Sequence, residues 1–265
     1  MTGTSACSKK RKSHMSLLKF PETMALFDVD DEIANRCSDS GIAMLRPGDA
    51  NFPQGCRRIA GPPRVLYAKG NPAILNDPAI AIIGTRTPTP RGSEIAEQFG
   101  RIVAGEGFVV VSGLALGCDA GGHRGCLAVG GRTVAVVAHG LDRVYPPQHK
   151  GLAAQIAHEG GCLLSQYPPG IRTAAKRFVE RDRIQSALSA ALIVIETDLT
   201  GGTMHTVRFA RDHGKPLAAL APPHGSEDEP MLRGNRQLLE SGAARPIRDG
   251  DDLRALIVEW RRIEH

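Results

Sequence analysis

The sequence predicts an α/β chain: an extended Rossmann-like, doubly wound and mostly parallel sheet with helices on both faces. Three observations carry this. From Val65 onward, short runs rich in valine, isoleucine and leucine recur, apolar throughout instead of alternating. Strands buried on both faces read this way. Stretches of helical spacing separate the runs, so each strand is followed by a helix and a right-handed crossover to a parallel neighbour. The chain also has the length and composition for one such core, with 265 residues, 42% hydrophobic and 23% charged.

The elements follow in order. Residues 1–45 have mixed polarity and form a tail with a short helical segment, centred on 22–37. Residues 46–64 (RPGDANFPQGCRRIAGPPR) are rich in proline and glycine and read as a lead-in loop. The strands expected next are VLYA (65–68), AIAIIG (79–84), FVVVS (108–112), TVAVVA (133–138), CLLS (162–165), ALIVIE (191–196) and PLAALA (216–221). Helices are expected over 92–105, 118–129, 149–158, 176–190 and 204–212. A Rossmann-like domain therefore occupies 46–249, and residues 250–265 form a closing amphipathic helix capped by Asp251 or Asp252.

Composition narrows the function. No run of 18 apolar residues occurs, so no membrane span is expected. The basic start has no apolar stretch behind it and does not read as a secretory signal. The cysteines (Cys7, Cys37, Cys56, Cys118, Cys126, Cys162) include no C-x-x-C pair, which points to a reducing cytoplasm and away from a zinc ribbon. Aromatics make up 4%, which argues against a base-stacking platform. The net charge is +5, but Lys9, Lys10, Arg11 and Lys12 fall in one run near the start, and the remainder is close to neutral. That run reads as a solvated tail, and any basic site must be local.

Open parallel sheets bind ligands beyond the carboxyl ends of their strands. Four segments there carry glycine, hydroxyl or basic residues. Gly84, Thr85 and Arg86 follow one strand, where bare backbone, a hydroxyl and a planar guanidinium suit a phosphate. The segment is neither a G-x-x-x-x-G-K-[ST] loop nor a G-x-G-x-x-G fingerprint, so no ATP or NAD cofactor is expected. Ser112 and Gly113 leave the next strand, ahead of Asp119 and His123. A hydrolase reading of these residues lacks the G-x-S-x-G elbow, and an i,i+4 helix-start pair is the simpler reading. Cys118, His123 and Cys126 lack a fourth metal ligand, and no metal is expected. Lys176, Arg177, Arg181 and Arg183 crowd the third segment as a candidate phosphate-tracking rim, or as a helix surface with internal ion pairs. Gly201, Gly202 and Thr203 begin a helix, whose N-terminus suits an anion.

Taken in order, PPRVLYAKGN (62–71), AIAIIGTRTPTPRG (79–92), VVSGLALGCDAGGH (110–123), TVAVVAHGLDRVYPPQHKGL (133–152), FVERDRIQSALSAALIVIET (178–197) and GGTMHTVRFARDHGKPLAAL (201–220) resemble the DNA-processing protein A family (DprA, also called Smf). The resemblance spans about 46–246. It implies a single-stranded DNA binder, usually a homodimer, that acts in natural transformation and loads a RecA-type recombinase, without catalysis. By the family pattern, Arg86 and the segment around Arg181 and Arg183 line the DNA pocket.

Three departures point to a divergent or short member. The family's FPxRNR is FVERDR here, placing Asp182 where a neutral amide is usual and Glu180 beside the arginines. Gln166 stands where the family has an acid, and the chain ends at His265 without the winged-helix-like domain many members carry. The alternative reading is a nucleotide sensor or an enzyme resembling nucleoside-monophosphate phosphoribohydrolases. Gly201, Gly202 and Thr203 would then be its anion loop and Glu196 its acid.

Overall fold

The structure is a computed structural model that describes residues 31–226 and 229–262. The first part of the helical segment expected around 22–37, and the basic run at Lys9, lie outside the described residues. A helix, α1, begins at the first of them and spans Asp31–Asp39.

All seven expected strands form, within about two residues of their expected limits: β2 (Leu66–Gly70), β3 (Ala79–Ile83), β4 (Val109–Ser112), β5 (Thr133–Val137), β6 (Cys162–Ser165), β7 (Ala191–Val194) and β8 (Leu217–Leu220). Two further strands, β1 (Ala43–Leu45) and β9 (Arg245–Ile247), close the edges. They were not expected, because three residues are too few to show a period. Pro246 is tolerated because β9 has no neighbour beyond it. The sheet order is β1-β2-β6-β5-β4-β3-β7-β8-β9. Pairing is parallel from β6 to β9, while β1–β2 and β2–β6 are antiparallel.

The expected helices appear as α3 (Pro90–Gly105), α4 (Cys118–Leu127), α5 (Lys150–His158), α6 (Ala175–Leu188), α7 (Thr203–Asp212) and α9 (Gly250–Arg261). Short helices α2 (Gln54–Arg58) and α8 (Arg233–Glu240) add to them, the former inside the stretch read as a loop. Alternate residues of each central strand feed opposite cores. Ile80, Ile82, Val110 and Ile193 pack under α3, α4 and α9, whereas Ala81, Val111, Leu192 and Val194 pack under α2, α6, α7 and α8. Each buried isoleucine contributes roughly 1.5–3 kcal/mol.

Local chemistry sets the helix starts. Thr89 caps α3, its side-chain oxygen accepting from Gly92 N, with Pro90 in the first turn. The cap of α9 is Asp249, not Asp251 or Asp252: its carboxylate accepts from both of their backbone N–H groups at 3.0 Å. A cap must precede the turn it closes. Asp252 instead pairs with Arg248 at 2.7 Å.

Candidate nucleic-acid interface

The chain leaves β3 toward β4, β5 and β6 on one side, then returns to lay β7 on the other. This reversal opens a crevice outside the carboxyl ends of β3 and β7. Two strand ends and the start of α4 are tied together at its lip. Thr85 N donates to Glu196 O at 2.7 Å, and Thr85 O accepts from Cys118 N at 3.1 Å. Gly117 makes the second contact possible: its φ is +77°, and a Cβ there would stand 2.4 Å from Thr85 O.

The crevice has a volume of about 440 Å³. Gly84, Thr85 and Arg86 form one wall, and Gly201, Gly202 and Thr203 at the start of α7 form the facing one. No heavy atom lies within 4 Å of a Cβ built on Gly202, so the helix N-terminus is open to a ligand and its dipole favours an anion. Arg86 is exposed, with its guanidinium carbon 5.1 Å from the centroid of the Phe178 ring. Phe178 in turn meets Tyr145 at 6.0 Å between centroids. His139 holds the Tyr145 loop, its Nε2 accepting from Tyr145 N at 3.2 Å while Nδ1 bonds to Gly140 O at 2.9 Å. Burial keeps this ring below its ordinary pKa, which favours the neutral form that Nε2 needs in order to accept.

The floor is polar and buried. Arg181 Nη1 donates to Val136 O at 3.1 Å and to Gln185 Oε1 at 3.2 Å, and its Nε lies 3.2 Å from Asp182 Oδ1. Asp119 accepts from Gly113 N at 3.1 Å and from Ala115 N at 3.3 Å. Burial pushes the Asp119 carboxyl up, against the pull of Arg181. Burial likewise pushes Asp182 up to about 6, with Arg181 opposing and the Asp119 charge adding to the rise. Two carboxylates and one guanidinium make this floor less attractive to anions than its arginine suggests.

Of the candidate phosphate-binding residues, Gly84, Thr85, Arg86, Arg181, Gly201, Gly202 and Thr203 line this one space, with Asp119 and Asp182 on its floor. The other candidates do not. Ser112 is fully buried and donates its hydroxyl to Ile82 O at 2.6 Å. Gly113 lies behind the floor, against Arg181. Arg183 points to the opposite side of α6, where Nη1 donates to Ala60 O and Gly61 O at 2.5 and 2.7 Å. Lys176 pairs with Glu180 at 3.5 Å, and Arg177 lies over Tyr167. The basic residues of α6 therefore spread over an exposed first turn and a buried remainder, with Arg181 the one that lines the crevice, and do not form a continuous rim. Helix geometry accounts for this, because residues two apart face opposite ways.

The hydrolase constellation also separates. His123 Nδ1 bonds to Thr133 Oγ1 at 2.7 Å, and the i,i+4 pair with Asp119 does not form, since that carboxylate serves Gly113 and Ala115. Burial pushes the His123 pKa down to about 3. Glu196 is 1% exposed and accepts from Thr89 N at 2.8 Å and Thr89 Oγ1 at 2.6 Å, so its carboxylate is spent on the start of α3. Sequence reasoning missed Phe178 and Tyr145, because low aromatic content says nothing about where the few aromatics gather.

Comparison with known proteins agrees with this geometry. Protein Smf of Synechocystis is 37% identical over 203 residues, covering 75% of this chain and 50% of its own; the chain thus spans about half the length of that relative. The X-ray structure of DNA processing protein A (DprA) from Streptococcus pneumoniae superposes with a TM-score of 0.75 at 29% identity, covering 86% of this chain and 78% of that one. DNA processing protein A from Helicobacter pylori, solved for its unique single-stranded DNA binding mode, gives 0.73 at 30% identity, covering 82% and 96%. Residues 43–257, which contain every strand of the sheet and both walls of the crevice, match the signature of one family, and the chain belongs to it: the DNA recombination-mediator protein A family.

Proposed function

We propose that the crevice binds single-stranded DNA, and that the chain acts as a recombination mediator in DNA uptake and natural transformation, working in the cytoplasm as a homodimer that loads a RecA-type recombinase. The observation that carries the reading is the convergence of Arg86, the bare backbone of Gly84 and Thr85, and the α7 N-terminus on one opening at the switch point. These groups engage phosphate, which positions a strand without reading its sequence. Phe178 and Tyr145 at the mouth give an unpaired base a face to stack on, which duplex DNA cannot use. Commitment of Glu196 to Thr89 speaks against the nucleotide-hydrolase alternative.

The test is a titration of oligo-dT against thymidine monophosphate and against duplex DNA at two salt concentrations. Oligo-dT is expected to bind most tightly, with affinity falling as salt rises because neutralised phosphates release counterions. Tighter binding of the mononucleotide or the duplex, or affinity indifferent to salt, would overturn it.

A further inference from the structure

At the opposite edge of the sheet, where β3, β4, β7 and β8 begin, two hollows of about 490 and 740 Å³ share Arg58, His213 and Lys215. The smaller also takes in Arg183, and Asp212 is the one carboxylate on its wall. The acids of the larger, Asp77 and Glu106, are matched by Arg132 at 2.6 Å and Arg261 at 3.6 Å. Basic charge therefore outweighs acid along the shared wall.

The cations here act on a neighbouring histidine. Burial lowers the His213 pKa, and the Lys215 and Arg183 charges lower it further. Both charges also reach the buried Cys56 thiol beneath. Arg183 is fixed in place by the Ala60 and Gly61 carbonyls, and His213 by Ser186 Oγ at 3.0 Å. Like charges held around a concavity raise each other's cost, and a bound anion relieves it.

We propose that this trough is a second phosphate contact for single-stranded nucleic acid, with Arg58 and Lys215 holding the backbone of a strand whose other part occupies the crevice. The proposal rests on the crevice reading above. Strands of four or five residues place the two edges about 15 Å apart. A trinucleotide, about 10 Å long at 3.4 Å per nucleotide, cannot reach both. A longer one meets the trough as an intramolecular event, at high effective concentration, once the crevice holds it. That advantage favours the same strand over an unrelated acidic partner.

The test compares the double variant Arg58→Gln, Lys215→Gln with Arg86→Ala, using oligo-dT of about 3 and about 30 nucleotides over a salt series. The double variant is expected to bind the short oligomer as wild type does and the long one at least tenfold more weakly. Its salt slope for the long oligomer is expected to be shallower by about 1.4, the value for two lost phosphate contacts on a single strand. Unchanged affinity and slope for the long oligomer would overturn the proposal, as would an equal loss on both lengths, which would mean a damaged fold or crevice. Arg86→Ala reads the crevice independently: undiminished short-oligomer binding there would defeat the crevice reading, whatever the trough variant does.

Discussion

Arg181 and Asp182, adjacent in the chain, are partners in space: Nε lies 3.2 Å from Oδ1, and each residue is 6% exposed. The guanidinium lies against Gly113, just past the end of β4. Buried charge is costly unless it is paired and hydrogen-bonded; Nη1 donates to Val136 O and Gln185 Oε1, while Nε meets Asp182 as an ion pair without a hydrogen bond. The arginine on the crevice floor is thus one half of a packed ion pair, whereas Arg86 on the wall is exposed.

Gly113→Ala tests that packing. A Cβ at this position would stand 1.4 Å from Arg181 Nη1 and 2.6 Å from Asp119 Oδ2. The guanidinium is enclosed and has to leave its partners. Overpacking of this kind costs about 1–3 kcal/mol. A lowered melting temperature together with weaker oligo-dT binding is expected; a variant indistinguishable from wild type in both would mean that Arg181 is free to rearrange.

Arg86 and Arg183 should separate binding from stability. Arg86 is exposed and held to one ring face, so Arg86→Ala is expected to leave melting unchanged and to weaken oligo-dT binding by roughly 1.5–3 kcal/mol, the worth of a hydrogen bond to a charged group. Arg183 is 4% exposed and satisfies two backbone carbonyls between α6 and the lead-in segment. Arg183→Ala is expected to lower stability by about 1–3 kcal/mol while short-oligomer affinity holds. The reverse pattern in paired melting and binding measurements would exchange their roles.

These contrasts show how much was legible in the sequence. Strand position was, because β3 and β7 are apolar without interruption and end in glycine and hydroxyl residues that mark a ligand edge. The two walls of the crevice were legible for the same reason. The direction of each α6 side chain was not. FVERDR is a row of charges on paper, and only the packed helix reveals that Arg181 faces the crevice and Arg183 the opposite side. Nor could the sequence show where the missing acid at Gln166 went. Gln166 Nε2 donates to Tyr167 Oη at 2.8 Å, and that hydroxyl donates to Glu180, so a carboxylate reaches the same buried site from α6.

Phe178 offers a sharper check on the strand than any arginine. Its ring lies 5.1 Å from the Arg86 guanidinium carbon and 6.0 Å from the Tyr145 ring, tilted by 54°. Stacking on an aromatic ring is worth about 1–3 kcal/mol per base. Phe178→Ala is therefore expected to weaken oligo-dT binding by about tenfold or more, with a much smaller loss on an abasic phosphodiester strand of equal length. Equal losses on both strands in a fluorescence titration would show that the ring only props Arg86.

Asp182 carries the final expectation, because its charge can be removed by pH or by substitution. The carboxyl titrates near 6 in the fold against an ordinary 3.8, chiefly because burial penalises its charged form. For stability the sign follows directly. A raised folded pKa makes the protonated carboxyl the favoured buried form, so the chain gains stability as pH falls from about 6 toward 3.8, and that gain is lost as pH rises back through 6. For binding, the ionised carboxylate repels phosphate and occupies Arg181. A unit charge about 4 Å away at an effective dielectric near 20 is worth on the order of 4 kcal/mol before salt reduces it. Asp182→Asn keeps an acceptor for Arg181 and removes the charge, so it is expected to tighten oligo-dT binding about tenfold at pH near 7.5 and to steepen its salt dependence. Wild-type affinity should climb toward that of the variant as pH is lowered to about 5.5. Groups common to both proteins cancel in the ratio of the two curves, which therefore reports Asp182 together with the Asp119 charge coupled to it. A constant ratio of affinities across that range would remove Asp182 from the electrostatics of the crevice, and weaker binding by Asp182→Asn would mean that the carboxylate is needed to aim Arg181 at the strand.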